Sequence, residues 1–324
     1  MRTFLGVDGG GTKTEFALVD ESGRILARHQ EASAYYLEIG FDTLRSMLAR
    51  GIGVTLERAS TPPSQLTFAF FGLPAYGEDS RLVDRLDAIA SPTLGVGRYH
   101  CGNDMVCAWA GALACQDGIN VVAGTGSIAY GEFAGRQARA GGWGELFSDE
   151  GSAHWVAREG LNLFSRMSDG RAAKGALYEL LRAHFRIEAD LDICAAVYGQ
   201  GGASSRSAIA QLASVVADAA RAGDTQARAI FAAATQELLA VVAAVREQLQ
   251  VPPDIALPVS YSGGMFKLTD LMLEPLESAL RASSSVYEFV PPMFPPALGA
   301  ALYAAKTFGA PLTEAALGVL KRRI

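Results

Sequence analysis

Apolar and polar residues alternate along the first hundred residues in a way that predicts strands and helices in turn. Apolar runs typical of strands cover residues 3–7, 14–19 and 24–29, with short glycine- or serine-containing turns between them. Residues 41–56 carry apolar side chains at helical spacing, which predicts an amphipathic helix. The same patterns then predict strands at 65–71 and 95–101 and helices at 79–90 and 103–115. Three hairpin-linked strands followed by helical crossovers predict a mixed sheet covered by helices.

The pattern of strand, glycine-rich turn and strand begins again near residue 120. Residues 120–133 predict a strand, a turn of small residues and a second strand, and a long helical region follows over 152–249. The remaining predicted elements are a strand at 256–261, a helix at 266–282, a strand at 286–290 and two C-terminal helices. Because both halves open with the same pattern, we expect two related domains that face one cleft.

Composition limits the classes of function. Half of the 324 residues are apolar and 19% are charged, which suits two packed domains and excludes general disorder. A net charge of −6 argues against a nucleic-acid partner. The longest apolar runs are shorter than the roughly 20 residues that span a bilayer, so no membrane partner is predicted. The four cysteines show no CxxC spacing, which is typical of buried, reduced thiols in a cytoplasmic protein.

The first candidate phosphate site is the turn after the first strand, where Asp8 precedes three glycines, Thr12, Lys13 and Thr14. Consecutive glycines let backbone N–H groups approach an anion closely, and the hydroxyls and the ammonium group add donors. The turn is not a Walker A loop, because Thr12 occupies the position where that motif has lysine. An ordinary glycine-rich hairpin is the alternative, but the flanking acid and lysine favour phosphate. Asp8 is also placed to hold Mg²⁺ through water.

Two further glycine turns follow buried strands. Residues 124–127, Gly-Thr-Gly-Ser, match a dinucleotide fingerprint, but a strand and not a helix follows them, so a second phosphate-binding turn is favoured over a Rossmann turn. A tight turn of small residues is the structural alternative. Residues 262–264, Ser-Gly-Gly, lie at a strand-to-helix switch, where glycine backbone can lie beneath a base or ribose. Taken alone, that segment is better explained as a corner that glycine permits.

Acidic residues complete the candidate chemistry. Asp104 follows Asn103 after a buried strand, where an acid is most often a helix N-cap. In a cleft, the same carboxylate could accept a hydroxyl proton during phosphoryl transfer. The loop 141–152 combines glycines, an aromatic residue and the adjacent acids Asp149 and Glu150, a set that suits the hydroxyls of a polyol. Acids that favour a helix N-terminus are the alternative explanation.

Together, these segments resemble the family of N-acetylglucosamine kinases and related BadF/BadG-type ATPases, within the actin-like, hexokinase and heat-shock-chaperone ATPase superfamily. The resemblance covers nearly the whole chain. Its matching segments are the two phosphate motifs at 7–20 and 121–131, the adenosine motif at 261–266, and the two connecting helices at 103–112 and 295–304. The loop GGWGELFSDEGSA at 141–153 is similar to the sugar-kinase version and is the most specific of these segments.

The resemblance implies an α/β fold of two actin-like (ribonuclease H-like) domains, each a mixed five-stranded sheet with helices, around an interdomain cleft. The first domain would comprise residues 1–117, completed by a C-terminal helix at about 308–324. The second would comprise residues 118–307, with the nucleotide site and helical insertions. The implied activity is an ATP-dependent amino-sugar kinase that uses ATP and Mg²⁺, acts on a small-molecule sugar and closes its lobes to exclude water. The resemblance also makes a homodimer plausible.

The resemblance also implies roles for single residues. Asp104 would be the general base on the sugar hydroxyl, and Asp8 would organise Mg²⁺. The nucleotide contacts would be Gly10, Gly11, Thr12, Lys13, Gly124, Thr125, Gly126, Gly263 and Gly264. The sugar contacts would be Asn103, Asp104, Ser127, Asp149, Glu150 and Tyr35.

Two departures from the family pattern concern the acceptor. Tyr35 replaces a sugar-binding Asn of N-acetylglucosamine kinases, and Ser148 replaces a glycine. The alternative acceptors are therefore glucosamine or a bulkier amino sugar such as N-acetylmuramic acid. The alternative from another class is a BadF/BadG-type ATPase that drives electron transfer through an iron–sulfur cluster. Cys101, Cys107 and Cys115 are too widely spaced to match that chemistry well.

Overall fold

The computed structural model describes residues 1–199 and 205–323, in which strands and helices alternate. The strands are β1 (Thr3–Gly9), β2 (Lys13–Asp20), β3 (Ile25–Ala32), β4 (Phe68–Leu73), β5 (Tyr99–Asn103), β6 (Gly118–Ala123), β7 (Ser127–Phe133), β8 (Arg136–Gly141), β9 (Leu257–Ser262) and β10 (Tyr287–Phe289). The helices are α1 (Tyr36–Ile39), α2 (Phe41–Arg58), α3 (Val83–Asp87), α4 (Ser91–Leu94), α5 (Met105–Leu113), α6 (Ala153–Ser168), α7 (Ala176–Phe185), α8 (Asp192–Tyr198), α9 (Arg206–Gln211), α10 (Ala213–Arg221), α11 (Thr225–Gln248), α12 (Glu274–Ala282), α13 (Pro296–Thr307) and α14 (Glu314–Lys321).

The chain divides into two compact units. The first unit comprises Met1–Asn120 and Pro291–Ile324, and the second comprises Val121–Val290. The predicted division placed residues 291–307 with the second domain, whereas they lie in the first unit. The physical reason is the apolar face of α13, whose Leu298 packs in one core cluster with Val19 of β2.

The first unit contains a five-stranded mixed sheet of order β3-β2-β1-β4-β5. The hairpin strands β1, β2 and β3 pair antiparallel, while β4 pairs parallel with both β1 and β5. Helix α2 buries Leu44, Leu48 and Ile52 in the same core cluster as Phe16 of β2. Because β1, β4 and β5 are parallel, their carboxyl ends meet at one edge of the sheet, where Asp8 lies beside Gly72.

The second unit is built on a sheet of order β10-β9-β6-β7-β8. Strands β7 and β8 form an antiparallel hairpin, and β9 and β10 pair parallel. Helices α6 to α12 follow the hairpin in the sequence, with β9 between α11 and α12. Two mixed five-stranded sheets with helices confirm the predicted α/β class.

Helix α11 is the one helix among the described residues that is long and apolar enough to cross a membrane by length and composition. A core helix passes the same test, so one such helix is weak evidence of a span. Phe231, Leu238 and Val242 of α11 are buried within the protein. Their burial is typical of a core helix.

Three local predictions differ from the structure. The helix predicted at 79–90 is a 3₁₀ turn at Ser80–Leu82, whose N-cap is Asp79, followed by the short α3, which ends at Asp87. The helix predicted from residue 266 begins only at Glu274, after a π-helical turn at Thr269–Leu273. All four cysteines are free thiols, as predicted, but Cys194 is exposed and Cys115 is only partly buried.

Candidate active site

Two acidic residues lie together at the carboxyl edge of the first sheet. Asp8 lies near the end of β1, and Asp104 follows β5 and begins α5. Burial, the neighbouring Asp104 and then Glu15 raise the pKa of Asp8 to about 8. Asp8 and Asp104 therefore form an acidic pair, in which the Asp104 carboxylate disfavours the charge of Asp8. Such a pair suits proton transfer or a bound cation.

Asn103 holds the start of α5 in place. Its side-chain Oδ1 accepts a hydrogen bond from the Met105 backbone N–H at 3.1 Å, and its Nδ2 donates to the Tyr76 carbonyl at 3.2 Å. Asp104 is the N-cap residue by position, but its side chain makes no capping bond. The side chain that caps α5 is therefore that of Asn103 and not the Asp104 carboxylate.

The first glycine turn is a compact hairpin. The Gly10 N–H donates to the Lys13 carbonyl at 2.9 Å, and Thr12 is exposed at the tip. The Lys13 ammonium group forms an ion pair with Glu15, which raises the pKa of Lys13. Thr14 is buried and its hydroxyl donates to the Ala32 carbonyl at 2.7 Å, so the idea that this hydroxyl binds phosphate is wrong.

The loop that contains Tyr35 is attached to this turn. The Ala34 N–H donates to the Gly10 carbonyl at 3.1 Å, and the Ser33 hydroxyl donates to the same oxygen at 3.3 Å. The Ser33 Oγ accepts a bond from the Tyr35 N–H at 3.1 Å. The Tyr35 ring is partly buried against the apolar core of the first unit. Its position is therefore linked to that of the first glycine turn.

The second glycine turn lies at the N-terminus of α6. The Gly124 N–H donates to the Gly126 carbonyl at 2.9 Å, which closes the turn. The first N–H groups of α6 donate to the turn: Ala153 to the Gly124 carbonyl at 2.9 Å and His154 to the Thr125 carbonyl at 3.3 Å. The helix start therefore fixes the turn, and the Thr125 side chain remains exposed.

The third glycine segment lies directly against the second. Gly263 has φ of +105°, and a Cβ atom there would be 2.3 Å from the Ala123 carbonyl oxygen. Only glycine fits both the backbone conformation and the available space. Gly264 faces open space instead. The structure thus brings two of the predicted nucleotide-binding segments together within the second unit.

The loop before α6 presents two acids in different surroundings. Asp149 is 2% exposed, and the Ser127 backbone N–H donates to its carboxylate. Glu150 is partly buried; the Ser127 hydroxyl donates to its carbonyl at 2.6 Å, and the Ser148 hydroxyl donates to its Oε2 at 3.2 Å. Ser127 therefore connects the second glycine turn to the acidic loop.

Sequence patterns did not identify Arg206, which lies at the start of α9 and contacts Asp149. It is separated from Asp149 by 57 positions and belongs to no glycine-rich or acidic motif. The sequence around a single arginine in a helical region does not indicate which acid it will contact. Only the folded chain reveals the contact.

The buried cysteines offer no reactive thiolate. Burial raises the pKa of Cys107, and the nearby carboxyls of Asp8 and Asp104 raise it further. Its Sγ faces the Val7 carbonyl at 3.7 Å. Burial likewise raises the pKa of Cys101. Both thiols are therefore less readily ionised than an exposed cysteine.

Asp8 should make the stability of the protein depend on pH. Its pKa is about 8 in the folded state against 3.8 in a free side chain, so between these values the folded state binds one more proton. The stabilisation is fully present below the lower value and is lost as the pH rises through the higher one, by at most about 1.4 kcal/mol per pH unit. Without divalent cations, we expect the contribution of Asp8 to lower Tm as the pH rises from about 4 to about 8, and to level off above about pH 8.

The asparagine side chain of Asp8→Asn cannot ionise, so this variant should lose the contribution of Asp8 to the slope of Tm against pH. Asp42→Asn, on the exposed start of α2, is the matched control and should keep it. Differential scanning fluorimetry at constant ionic strength measures both. An equal slope in wild type and Asp8→Asn would contradict the assignment.

The two sheet orders and the hairpins around glycine turns define an actin-like fold. A solved structure from Chromobacterium violaceum, provisionally assigned as an N-acetylglucosamine kinase, superposes with a TM-score of 0.73 at 26% identity and covers 93% of this chain and 98% of its own. A ROK family glucokinase from Streptomyces griseus shares the fold at 17% identity, with a TM-score of 0.56 and coverage of 94% and 99%.

The chain belongs to the BadF/BadG/BcrA/BcrD ATPase family, whose sequence profile matches residues 5–304. ATP is thus the nucleotide of its family. The N-acetyl-D-glucosamine kinase of Dictyostelium discoideum is 26% identical over 93% of this chain and 97% of its own length. The N-acetylmuramic acid/N-acetylglucosamine kinase of Clostridium acetobutylicum is 27% identical over 78% of this chain and 81% of its own length.

Proposed function

We propose that the protein is an ATP-dependent amino-sugar kinase similar to N-acetylglucosamine kinase, which transfers the γ-phosphoryl group of ATP to a sugar hydroxyl in the cytoplasm. The names of the relatives support the substrate class, and the family supports ATP. The observation that carries the proposal is the position of Asp104. This acid follows the carboxyl end of β5 near Asp8, and its side chain does not cap the helix that it begins.

In the proposed reaction, Asp104 is the general base. Its carboxylate accepts the proton of the acceptor hydroxyl as the hydroxyl oxygen bonds to the γ-phosphorus. The bond from the γ-phosphorus to the bridging oxygen breaks, and ADP leaves. Because phosphoryl transfer depends mostly on position and charge, the carboxylate need not be a strong base. Asn103 supports this role by holding the backbone at the start of α5.

The glycine segments supply the proposed nucleotide contacts. The hydroxyls of Thr12 and Thr125 are exposed at the tips of their turns and can donate to phosphate oxygens. The proposed backbone contacts are Gly10, Gly11, Gly124, Gly126, Gly263 and Gly264. Lys13 adds positive charge near the first turn, although its ion pair with Glu15 reduces that contribution.

Asp8 fits a role in holding hydrated Mg²⁺. Among residues 1–199 and 205–323, no group of three or more His, Cys, Asp or Glu side chains forms a metal site by itself. A single acid whose charge is disfavoured by its neighbours suits an ion that keeps several waters and binds mainly to phosphate. When bound, Mg²⁺ would neutralise charge on the β- and γ-phosphates.

The proposed sugar contacts follow the family resemblance. Asp149 and Glu150 belong to the acidic loop, Ser127 follows the second glycine turn, and Asn103, Asp104 and Tyr35 complete the set. Carboxylates accept hydrogen bonds from sugar hydroxyls, so Asp149 and Glu150 are the proposed acceptors in the acidic loop. The homodimer implied by the family stays a prediction.

The test is turnover of ATP with Mg²⁺, followed by ADP release, across hexoses, amino sugars and N-acetylated amino sugars, with a blank that lacks sugar. The proposal expects a strong increase with one amino sugar. Hydrolysis that does not depend on sugar would favour the ATPase alternative. Absence of turnover with every sugar would overturn the kinase assignment.

A bulkier acceptor, such as N-acetylmuramic acid, is the second candidate. Tyr35 favours it, because a partly buried aromatic ring replaces an amide and can pack against a larger substituent. The name of the Clostridium acetobutylicum relative includes this sugar.

Tyr35→Asn should change the ratio of kcat/KM for N-acetylglucosamine over N-acetylmuramic acid by about tenfold in favour of the smaller sugar. The physical reason is loss of the ring and gain of a hydrogen-bonding amide. Tyr35→Phe keeps the ring and should leave the ratio near the wild-type value. An unchanged ratio in Tyr35→Asn would remove Tyr35 from sugar selection.

A further inference from the structure

Arg206 joins two acids of the loop before α6. Its Nη2 lies 2.5 Å from Asp149 Oδ2, and its Nε lies 3.4 Å from Glu145 Oε2. The Asp149 side chain is 2% exposed, whereas that of Arg206 is 39% exposed. A buried carboxylate requires a charged or hydrogen-bonding partner to remain ionised. Arg206 supplies the charge for Asp149.

The ion pair also packs against the second glycine turn. A Cβ atom on Gly126 would lie 2.3 Å from Arg206 Nη2 and 2.8 Å from Asp149 Oδ2. The Asp149 backbone has φ of +61°, in the left-handed region that non-glycine residues rarely adopt. A side chain on a strained backbone keeps its orientation only when its surroundings hold it. The Ser127 N–H and Arg206 provide that hold.

We propose that Arg206 is a positioning residue for the acceptor site, because it holds the Asp149 carboxylate against the turn at Gly126 in the orientation that binds the sugar. The inference rests on the proposed function, which gives Asp149 its contact with sugar. It extends that function to α9, a helix outside every glycine-rich and acidic motif. Arg206 acts through Asp149 and is not assigned a contact with substrate.

The charges around Asp149 determine the effect of removing Arg206. Burial raises the pKa of Asp149, and the Arg206 charge is the largest influence that lowers it again. Glu145 raises the Asp149 pKa further. His154 faces the same cluster from α6, and burial lowers its pKa, so at neutral pH it adds no positive charge. The charge of Arg158, also on α6, lowers the pKa of His154 further. Without Arg206, a larger fraction of Asp149 would be protonated near pH 7.

The experiment compares Arg206→Met, Arg206→Lys, Asp149→Asn and the double variant Arg206→Met/Asp149→Asn. Arg221→Met is the matched control, because Arg221 pairs with the exposed Asp270 in the same unit. Arg206→Met should raise the KM for the sugar about tenfold, while kcat and the KM for ATP change less than about twofold. The acidic limb of kcat/KM for the sugar should move to higher pH, since a protonated carboxyl accepts fewer hydrogen bonds. Arg206→Lys keeps the positive charge, so its acidic limb should lie close to the wild-type pH.

The double variant tests whether Arg206 acts through Asp149. In the Asp149→Asn background, Arg206→Met should raise the KM for sugar by less than about twofold. The proposal would be overturned if the effects of the two substitutions on the KM for sugar multiplied fully in the double variant. It would also be overturned if Arg206→Met lowered Tm but left the KM for sugar and the acidic limb of kcat/KM unchanged, because the ion pair would then be purely structural.

A ¹³C titration of the Asp149 carboxyl, assigned by its loss in Asp149→Asn, needs no sugar. It should show a higher pKa in Arg206→Met than in wild type, and an equal pKa would overturn the proposal. If wild type turns over no sugar, the kinase assignment fails, and this titration still decides whether Arg206 controls Asp149.

Discussion

Replacing Asp104 with asparagine should lower kcat by about a thousandfold while the affinity for ATP stays within about twofold of wild type. Asparagine has nearly the same shape as aspartate but cannot accept a proton at neutral pH. The loss follows from removal of the general base, since the glycine turns that are proposed to bind ATP do not contain Asp104. Asn103 caps the start of α5, so the helix itself should be preserved.

ADP release at saturating sugar measures kcat, and calorimetric titration with a non-hydrolysable ATP analogue measures nucleotide affinity. Asp42→Asn, which removes an exposed acid from α2, is the control and should match wild type in both. Near-normal turnover in Asp104→Asn would remove Asp104 from its proposed role. Equal losses of kcat and ATP affinity would point to a damaged first unit instead.

Asp104→Asn also has a consequence for Asp8. The Asp104 charge contributes to the raised pKa of Asp8, so its removal should move that pKa back towards the ordinary value. The fall in Tm with rising pH should then level off at a lower pH than in wild type. Two independent measurements, catalytic and thermal, thus report on the same acidic pair.

The strands of the first unit and its mixed sheet were predictable because they depend on local patterns. Apolar runs interrupted by glycine turns determine β1 to β3, and parallel strands must end at a common edge. Asp8 and Asp104 each follow or end such a strand, so their proximity follows from the topology. The fold class therefore required no knowledge of side-chain packing, whereas the pairing of the two acids became apparent from the strand order of the folded chain.

The remaining features depend on contacts that are distant in sequence. Arg206 reaches Asp149 through the packing of α9 on α6. The use of the Asn103 amide depends on the position of the Tyr76 carbonyl, which lies 27 positions earlier. Residues 79–90 carry the apolar spacing of a helix, but Asp79 caps a 3₁₀ turn at Ser80–Leu82, and the helix that follows ends at Asp87. Patterns of hydrophobicity contain no information about such pairs or breaks.

The largest structural effect is expected where two glycine segments touch. Gly263→Ala would place a Cβ atom 2.3 Å from the Ala123 carbonyl oxygen and 2.9 Å from the Gly124 nitrogen, on a backbone with φ of +105°. Steric overlap and the left-handed conformation together should cost about 3 kcal/mol, which corresponds to a fall in Tm of about 6 to 12 °C. The displaced Gly124 turn should also raise the KM for ATP at least about tenfold.

Gly264→Ala is the matched control, because it makes the same chemical change one residue later, where a Cβ atom meets open space. Its Tm should stay within about 2 °C of wild type, and its KM for ATP within about twofold. Thermal melts and initial rates at varied ATP compare the two variants directly. Similar behaviour of both would mean that the 262–264 segment moves freely away from the Gly124 turn. A Gly263→Ala enzyme with lower Tm but unchanged KM for ATP would separate the packing of this segment from nucleotide binding, and Gly263 would then be needed for stability alone.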